Sequence, residues 1–325
     1  MKIVSWFSDV SEIKPLAKAG ADEFYCAVKN IPSFGTAHLS GSKALKAAID
    51  RVHASGRKLA LAVNRIEYVL RERECARLMA DILEIDRLGI DNFIVANPAF
   101  FLMLEDYRAR HRVSPPRAGF HLSSVQPCFN HRAVAFLLRF GFSRVILPVQ
   151  LSALEAGRIL ELCRSRGVET EIFDYRFFGC VYINGRCHMH TPYFHTFRDG
   201  SHGGGLCQAG VTDTRPVELR PFLVARGREG AAASLLERVR SRVRRGGPNR
   251  INNAGSFFDS YTAGVQYVKY GTRTDPTELK VAKVGQMRWM IRLIGDLIAE
   301  HGEVRGRAQF LARMGHWRWD QLAVR

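Results

Sequence analysis

Cys180, Cys187 and Cys207 fall within one short stretch that also carries His188, His190, His195 and His202 among several glycines. Thiolates are soft ligands suited to zinc or iron–sulfur clusters, and nearby glycines let backbone amides approach cluster sulfurs and stabilise their charge. Neither cysteine spacing is a C-x-x-C knuckle, so a zinc ribbon matches poorly. The residue types therefore predict a metal site and leave its metal open. The competing reading makes these cysteines small buried hydrophobes and the histidines polar loop residues. Of the other four cysteines, Cys75 and Cys163 lie on helical patterns and read as packing residues. Cys26 and Cys128 lie at or just beyond the ends of predicted strands, facing the same side of the fold.

A recurring phrase supplies the elements that must position these groups. A helical stretch closes at glycine, one to three residues follow, and a short apolar run begins, at Gly20, Gly56, Gly89, Gly141, Gly167 and Gly264. Glycine suits the left-handed residue that ends a helix, and runs of β-branched, aromatic and leucine residues suit buried parallel strands. Eight strands are predicted, at 2–6, 23–28, 58–63, 92–96, 117–122, 144–148, 170–174 and 265–270. Eight αβ units favour a (β/α)8 TIM-barrel-like fold, with functional groups on loops at the carboxyl ends of the strands. An open doubly wound sheet is the alternative, but no Gly-rich dinucleotide fingerprint follows any strand. The regular spacing breaks after the seventh strand. We therefore expect a barrel over 1–174 and 263–302, a Cys-rich and Arg-rich insertion over 175–262, and a basic tail over 303–325.

The chain has 325 residues and is 46% hydrophobic, enough for a large core, which excludes a fibrous or wholly disordered protein. No apolar run approaches the length of a membrane span, and Met1–Trp6 reads as a strand and not as a signal peptide, so a cytoplasmic protein without a transmembrane segment is expected. The formal charge of +17 favours anionic partners such as RNA, although the excess of Arg over Lys is also what a coding bias would produce. The stretch around Arg238–Arg245 reads as a helix with one basic face, suited either to phosphates or to covering the barrel in water. Trp317 and Trp319 in the tail suit a partner surface or a tail folded back on the barrel.

Asn64, Asn97, Gln126 and Lys269 follow or finish predicted strands, where a barrel would place them around its pocket. Gln126 and Lys269 stand ahead of the two asparagines as substrate-binding candidates. Arg186 and Arg273, near the same mouth, suit bidentate clamping of a carboxylate. There is no nucleophile elbow, no H-E-x-x-H and no phosphate loop followed by Lys, so a proteolytic mechanism has no visible machinery.

The run Glu171-Ile-Phe, followed by Gly179-Cys180, Gly185 and Cys187, with Cys207 further on, resembles the signature of peptidase family U32, the collagenase-like family. Gly20–Tyr25, Ser124-Val125-Gln126, Leu147-Pro148 and Ala263-Gly264-Val265, leading to Lys269 and Arg273, agree in order. The resemblance covers about residues 1–295. It implies a barrel-like fold with a [4Fe-4S] cluster on four cysteines and a role in oxygen-independent hydroxylation, with prephenate as oxygen donor. The substrates in that group are ubiquinone precursors, handled by short members in heterodimeric pairs, or bases of ribosomal and transfer RNA.

Two departures mark a divergent member: no cysteine follows Cys207, and the run Lys269-Tyr-Gly-Thr-Arg273 lacks the glutamate usual between its lysine and arginine. Three thiolates leave a fourth iron for His188, His190 or His202, for Cys128, or for a substrate oxygen or solvent. Zinc held by three cysteines and a histidine is the alternative. Judged by length, the chain resembles the short members. The leading expectation is thus an iron–sulfur protein that hydroxylates an aromatic or prenylated quinone precursor in a hetero-oligomer with a related chain. Cys180, Cys187, Cys207 and His188 would hold the metal, and Gln126, Lys269 and Arg273 would form the catalytic pocket. RNA base hydroxylation, a hydrolase and a non-catalytic scaffold are the rival readings.

Overall fold

The computed structural model describes residues 1–325 except 34–36, 67–70, 127, 149–150, 174–253, 272, 274 and 315–325. Cys180, Cys187, Cys207, His188 and the other loop histidines, Arg186, the Arg-rich stretch, Trp317 and Trp319 lie outside the described residues.

Eight strands form a closed parallel barrel in sequence order: β1 Lys2–Trp6, β2 Glu23–Cys26, β3 Lys58–Val63, β4 Asn92–Val95, β5 Gly119–Leu122, β6 Arg144–Ile146, β7 Glu169–Phe173 and β8 Tyr267–Tyr270. Closure comes from β8 pairing with β1, with Val4 opposite Lys269. The helices are α1 Ile13–Ala19, α2 Gly41–His53, α3 Glu72–Leu88, α4 Ala99–His111, α5 His131–Leu137, α6 Gly157–Ser165, α7 Ala254–Thr262 and α8 Thr277–Met314. The expected TIM-barrel-like architecture is the one observed. All six predicted helix-closing glycines have positive φ, from 65° at Gly167 to 118° at Gly20. At Gly20 the close approach matters as well, because an added Cβ would sit 2.9 Å from Arg288 Nε, and the same guanidinium donates to the Gly20 carbonyl at 2.6 Å.

Residues 254–262, within the stretch read from sequence as an insertion, form a helix packed on α8, with Phe258 and Phe310 rings 5.7 Å apart and Arg307 paired to Asp259 at 2.6 Å. α8 runs past the expected start of the tail, turning at Gly302, whose φ of 73° and ψ of 170° are not helical. Among the described residues no helix is long and apolar enough to cross a membrane.

Alternation along each strand divides the interior in two. One set of side chains, including Ile3, Phe24, Cys26, Leu59, Leu61, Phe93, Val95, Leu122, Val145 and Val268, packs under the helices. The other set points into the lumen, where Val4, Trp6, Tyr25, Ala60, Ala62, Ile94, Ile146 and Tyr267 form a separate apolar cluster. The lumen also holds charge. Arg144 of β6 is bidentate to Glu23 of β2 at 2.7 and 3.0 Å, donates to Glu169 of β7 at 2.8 and 2.9 Å, and reaches Glu171 of β7 at 3.0 Å. Its guanidinium carbon lies 3.4 Å from the centre of the Tyr267 ring on β8.

A guanidinium in so dry a place is held by its partners: burial disfavours its charge, but the carboxylates of Glu23 and Glu171 outweigh that penalty and raise its pKa. Removing one member of a buried ion network leaves the others uncompensated, at a cost of about 3–5 kcal/mol. Arg144→Ala is expected to lower the unfolding free energy by that amount. Arg144→Lys, which keeps the charge and loses the fork, should lose less. Urea titration of both variants checks the order.

Candidate functional site at the barrel mouth

The carboxyl ends of β1, β2, β7 and β8 bring together an aromatic and cationic group of side chains. Lys269 of β8 is buried, with its ammonium 2.6 Å from Glu171 Oε1, 4.5 Å from the centre of the Tyr25 ring and 5.5 Å from that of Phe173, where β7 ends. Burial lowers the Lys269 pKa, and Glu171 opposes the shift. Arg273, just beyond β8, lies with its guanidinium carbon 4.4 Å from the Trp6 ring centre and 6.0 Å from that of Tyr25. Its backbone is braced from the next αβ unit, because Ser8 Oγ donates to the Arg273 carbonyl at 3.2 Å. The Lys280 ammonium of α8 in turn donates to Ser8 Oγ at 2.5 Å and to Glu12 Oε2 at 2.8 Å.

On the loop after β2, the His38 ring stands edge-on to Trp6 at 4.3 Å and to Phe7 at 5.2 Å. Burial, with Arg273 and Lys280 nearby, holds its pKa at about 4, so the imidazole is neutral at pH 7. His121, buried on β5, is also pushed well below the ordinary histidine value, by burial first and then by Arg144 and Lys269.

Of the three pocket residues expected from sequence, Lys269 and Arg273 share the Tyr25 ring. Gln126 stands half-buried on the loop after β5, across the barrel from β1, with its backbone N–H donating to the Ser123 carbonyl at 3.0 Å. Asn64 donates to Ser123 Oγ at 3.0 Å inside the rim. Asn97 has a local structural role: its side chain donates to the Ile66 carbonyl at 2.6 Å and accepts from Ala99 N at 2.9 Å at the start of α4.

Cys26 ends β2 and Cys128 follows β5, as expected. Tyr25 takes the inward position on β2, and Cys26 packs in the outer apolar layer. Cys128, considered as a fourth metal ligand, is buried in that same layer, and desolvation pushes its thiol up to about 12. Cys163 is a packing residue, as its helical pattern predicts, with its thiol raised to about 11. Among the described residues no group of three or more His, Cys, Asp or Glu is placed to hold a metal ion.

Several site residues escaped the sequence reading: Glu171, Arg144, Glu23, Glu169, Tyr267, His121, Trp6, Tyr25 and His38. A usable signal existed for most of them. Glu23 with Tyr25, Glu169 with Glu171 and Tyr267 with Lys269 are pairs two apart within strands, and so share the lumen face.

A family profile decides the affiliation of this barrel: that of peptidase family U32 matches residues 8–209, more than half of the sequence. The chain belongs to peptidase family U32. A stretch of 121 residues is 36% identical to tRNA hydroxylation protein P1 of Bacillus subtilis (strain 168), covering 37% of this chain and 25% of that protein. Over 143 residues it is 27% identical to tRNA hydroxylation protein P of Escherichia coli (strain K12), covering 44% of this chain and 29% of that protein. The matched stretch thus spans less than a third of these curated relatives. The solved U32 peptidase Mk0906 shares 12% identity over 54% of this chain and 68% of its own, with a TM-score of 0.42.

The two depressed histidines give this U32 protein a signed pH dependence. Each binds its proton more readily unfolded than folded, so stability is greatest above the unfolded histidine value of about 6.5 and falls as the pH drops below it toward 4. Urea midpoints measured from pH 7.5 to 5 should decline, and His121→Gln should flatten the slope whatever its effect on the midpoint at pH 7.5.

Proposed function

We propose that this U32 protein takes part in hydroxylating a base of transfer RNA, with the mouth around Trp6, Tyr25, Lys269 and Arg273 as its small-molecule pocket. The observation that carries this reading is the 36% identity over 121 residues to a tRNA hydroxylation protein. Two further features support it. The net charge of +17 suits a polyanionic partner. A pocket with two cations and two to three aromatic walls suits a small anion with an unsaturated or ring-shaped body.

The proposal includes an iron–sulfur cluster, which would supply redox chemistry. Cys180, Cys187 and Cys207 are its proposed ligands, with His188 as the fourth. These lie outside the described residues, and the rival fourth ligands are His190, His202, Cys128, a substrate oxygen or solvent. What the described residues would contribute is binding: Lys269 and Arg273 attract an anionic group, and Trp6, Tyr25 and Phe173 shield it from water. Gln126 offers an amide from the opposite rim.

Hydroxylation of an aromatic quinone precursor, in a complex with a related chain, is the second reading, and the aromatic walls of the mouth favour it. The two separate in one strain. Deleting the gene should remove a hydroxylated nucleoside from the tRNA digest, as read by mass spectrometry, and leave the quinone pool intact. The reverse pattern would sink the tRNA reading and support the second.

Complementation with Lys269→Ala or with Cys180→Ala/Cys187→Ala should leave the nucleoside at least about tenfold below wild type. Protein purified without oxygen should contain iron and acid-labile sulfide, and the cysteine double variant should lose both. Wild-type protein lacking both after attempted reconstitution would refute the cluster.

A further inference from the structure

Lys269 is an odd group to find where it is. An ammonium buried between two aromatic rings is costly, and its desolvation favours the neutral amine. Glu171, fully buried itself, sits 2.6 Å away through Oε1, while its other oxygen accepts from Arg144 at 3.0 Å. Arg144 cannot swing aside, because Glu23 and Glu169 hold the rest of its fork and Tyr267 lies against its face. Position is thus handed from β2 and β6 through Glu171 to the ammonium on β8. The other groups around Lys269 do not replace Glu171: Arg144 and Arg273 repel the ammonium, and Tyr25 and Phe173 offer only ring faces.

We propose that Glu171 is a positioning residue, which Arg144 locks in place so that it holds Lys269 charged and fixed against the Tyr25 and Phe173 rings as the anion-attracting floor of the mouth. The functional half of this statement rests on the reading of the mouth as the substrate pocket; the Glu171–Lys269 coupling does not.

The experiment follows the Cε signal of Lys269 with pH in the full-length protein labelled with ¹³C-lysine, assigned by its absence in Lys269→Arg. In wild type the midpoint of the Cε titration is the reference, set by burial against the opposing pull of Glu171. In Glu171→Gln the signal should titrate lower by about one unit or more, a tenfold or greater loss of proton affinity, with Glu171→Asp intermediate. Circular dichroism confirms that each variant is folded, and a Glu171→Gln chain that fails to fold leaves Glu171→Asp to decide.

The cellular readout is the hydroxylated nucleoside in tRNA. Glu171→Gln should lower it at least about tenfold, and in purified enzyme the lost activity should return as the pH is lowered, which a merely structural defect would not do. A Lys269 titration unchanged in the variants overturns the proposal. So does a shifted titration with hydroxylation unimpaired. If wild type itself supports no tRNA hydroxylation, the functional reading fails, while the titration still decides the coupling.

Discussion

Placing one guanidinium inside a closed barrel constrains much of what surrounds it. Arg144 is shielded from solvent, so its donors must end on carboxylates brought in by other strands, and β2 and β7 supply three. Glu23 arrives at the correct height because β2 pairs in register with β1 and β3, with Glu23 opposite Val4 and Lys58. Glu169 and Glu171 arrive because β7 is set against β6 with Arg144 opposite Glu169. Charge balance in the lumen and strand register are therefore one condition. A slip of one residue on β7 would turn both glutamates out toward the helices and strand the cation.

The same constraint reaches the mouth. Glu171 belongs both to Arg144 below and to Lys269 above, so the polar chain ends under the aromatic rim. Around that rim, rigidity comes from outside the lumen. Lys280 of α8 is buried against Glu12 and donates to the exposed Ser8 hydroxyl, Thr277 donates to the same Glu12 carboxylate at 2.8 Å, and Ser8 pins the Arg273 backbone. Burial raises the Glu12 pKa and the Lys280, Ser8 and Thr277 bonds more than offset it, so this brace stays ionised. The mouth is thus supported by two polar networks, one through the barrel and one through the helix layer.

The barrel was legible because its signals are local. Glycine at helix ends and apolar runs after them fix eight αβ units without any long-range information. Lys269 and Arg273 could also be picked out, as polar residues near a predicted strand end. What they touch could not, since Trp6 and Tyr25 come from the opposite end of the chain and meet them only when β8 closes on β1. Glu23, Arg144 and Glu171 received no role for another reason: each sits in a short, mostly apolar run, and only the closed barrel brings the three side chains together in one lumen. Cys128 shows a limit of such reading, because its place just after a strand does not say whether its thiol turns toward the mouth or, as it does, into the outer apolar layer. The cysteines most able to do chemistry belong to residues 174–253.

Both ends of that long stretch are anchored in the barrel wall. The chain leaves the rim at Phe173 on β7 and is found again at Ala254, where α7 leads into β8, the strand hydrogen-bonded alongside β7. Departure and return therefore belong to adjacent staves. The eight staves close on one another by hydrogen bonds that run only between strands of the barrel itself, so the ring is complete on both sides of that doorway.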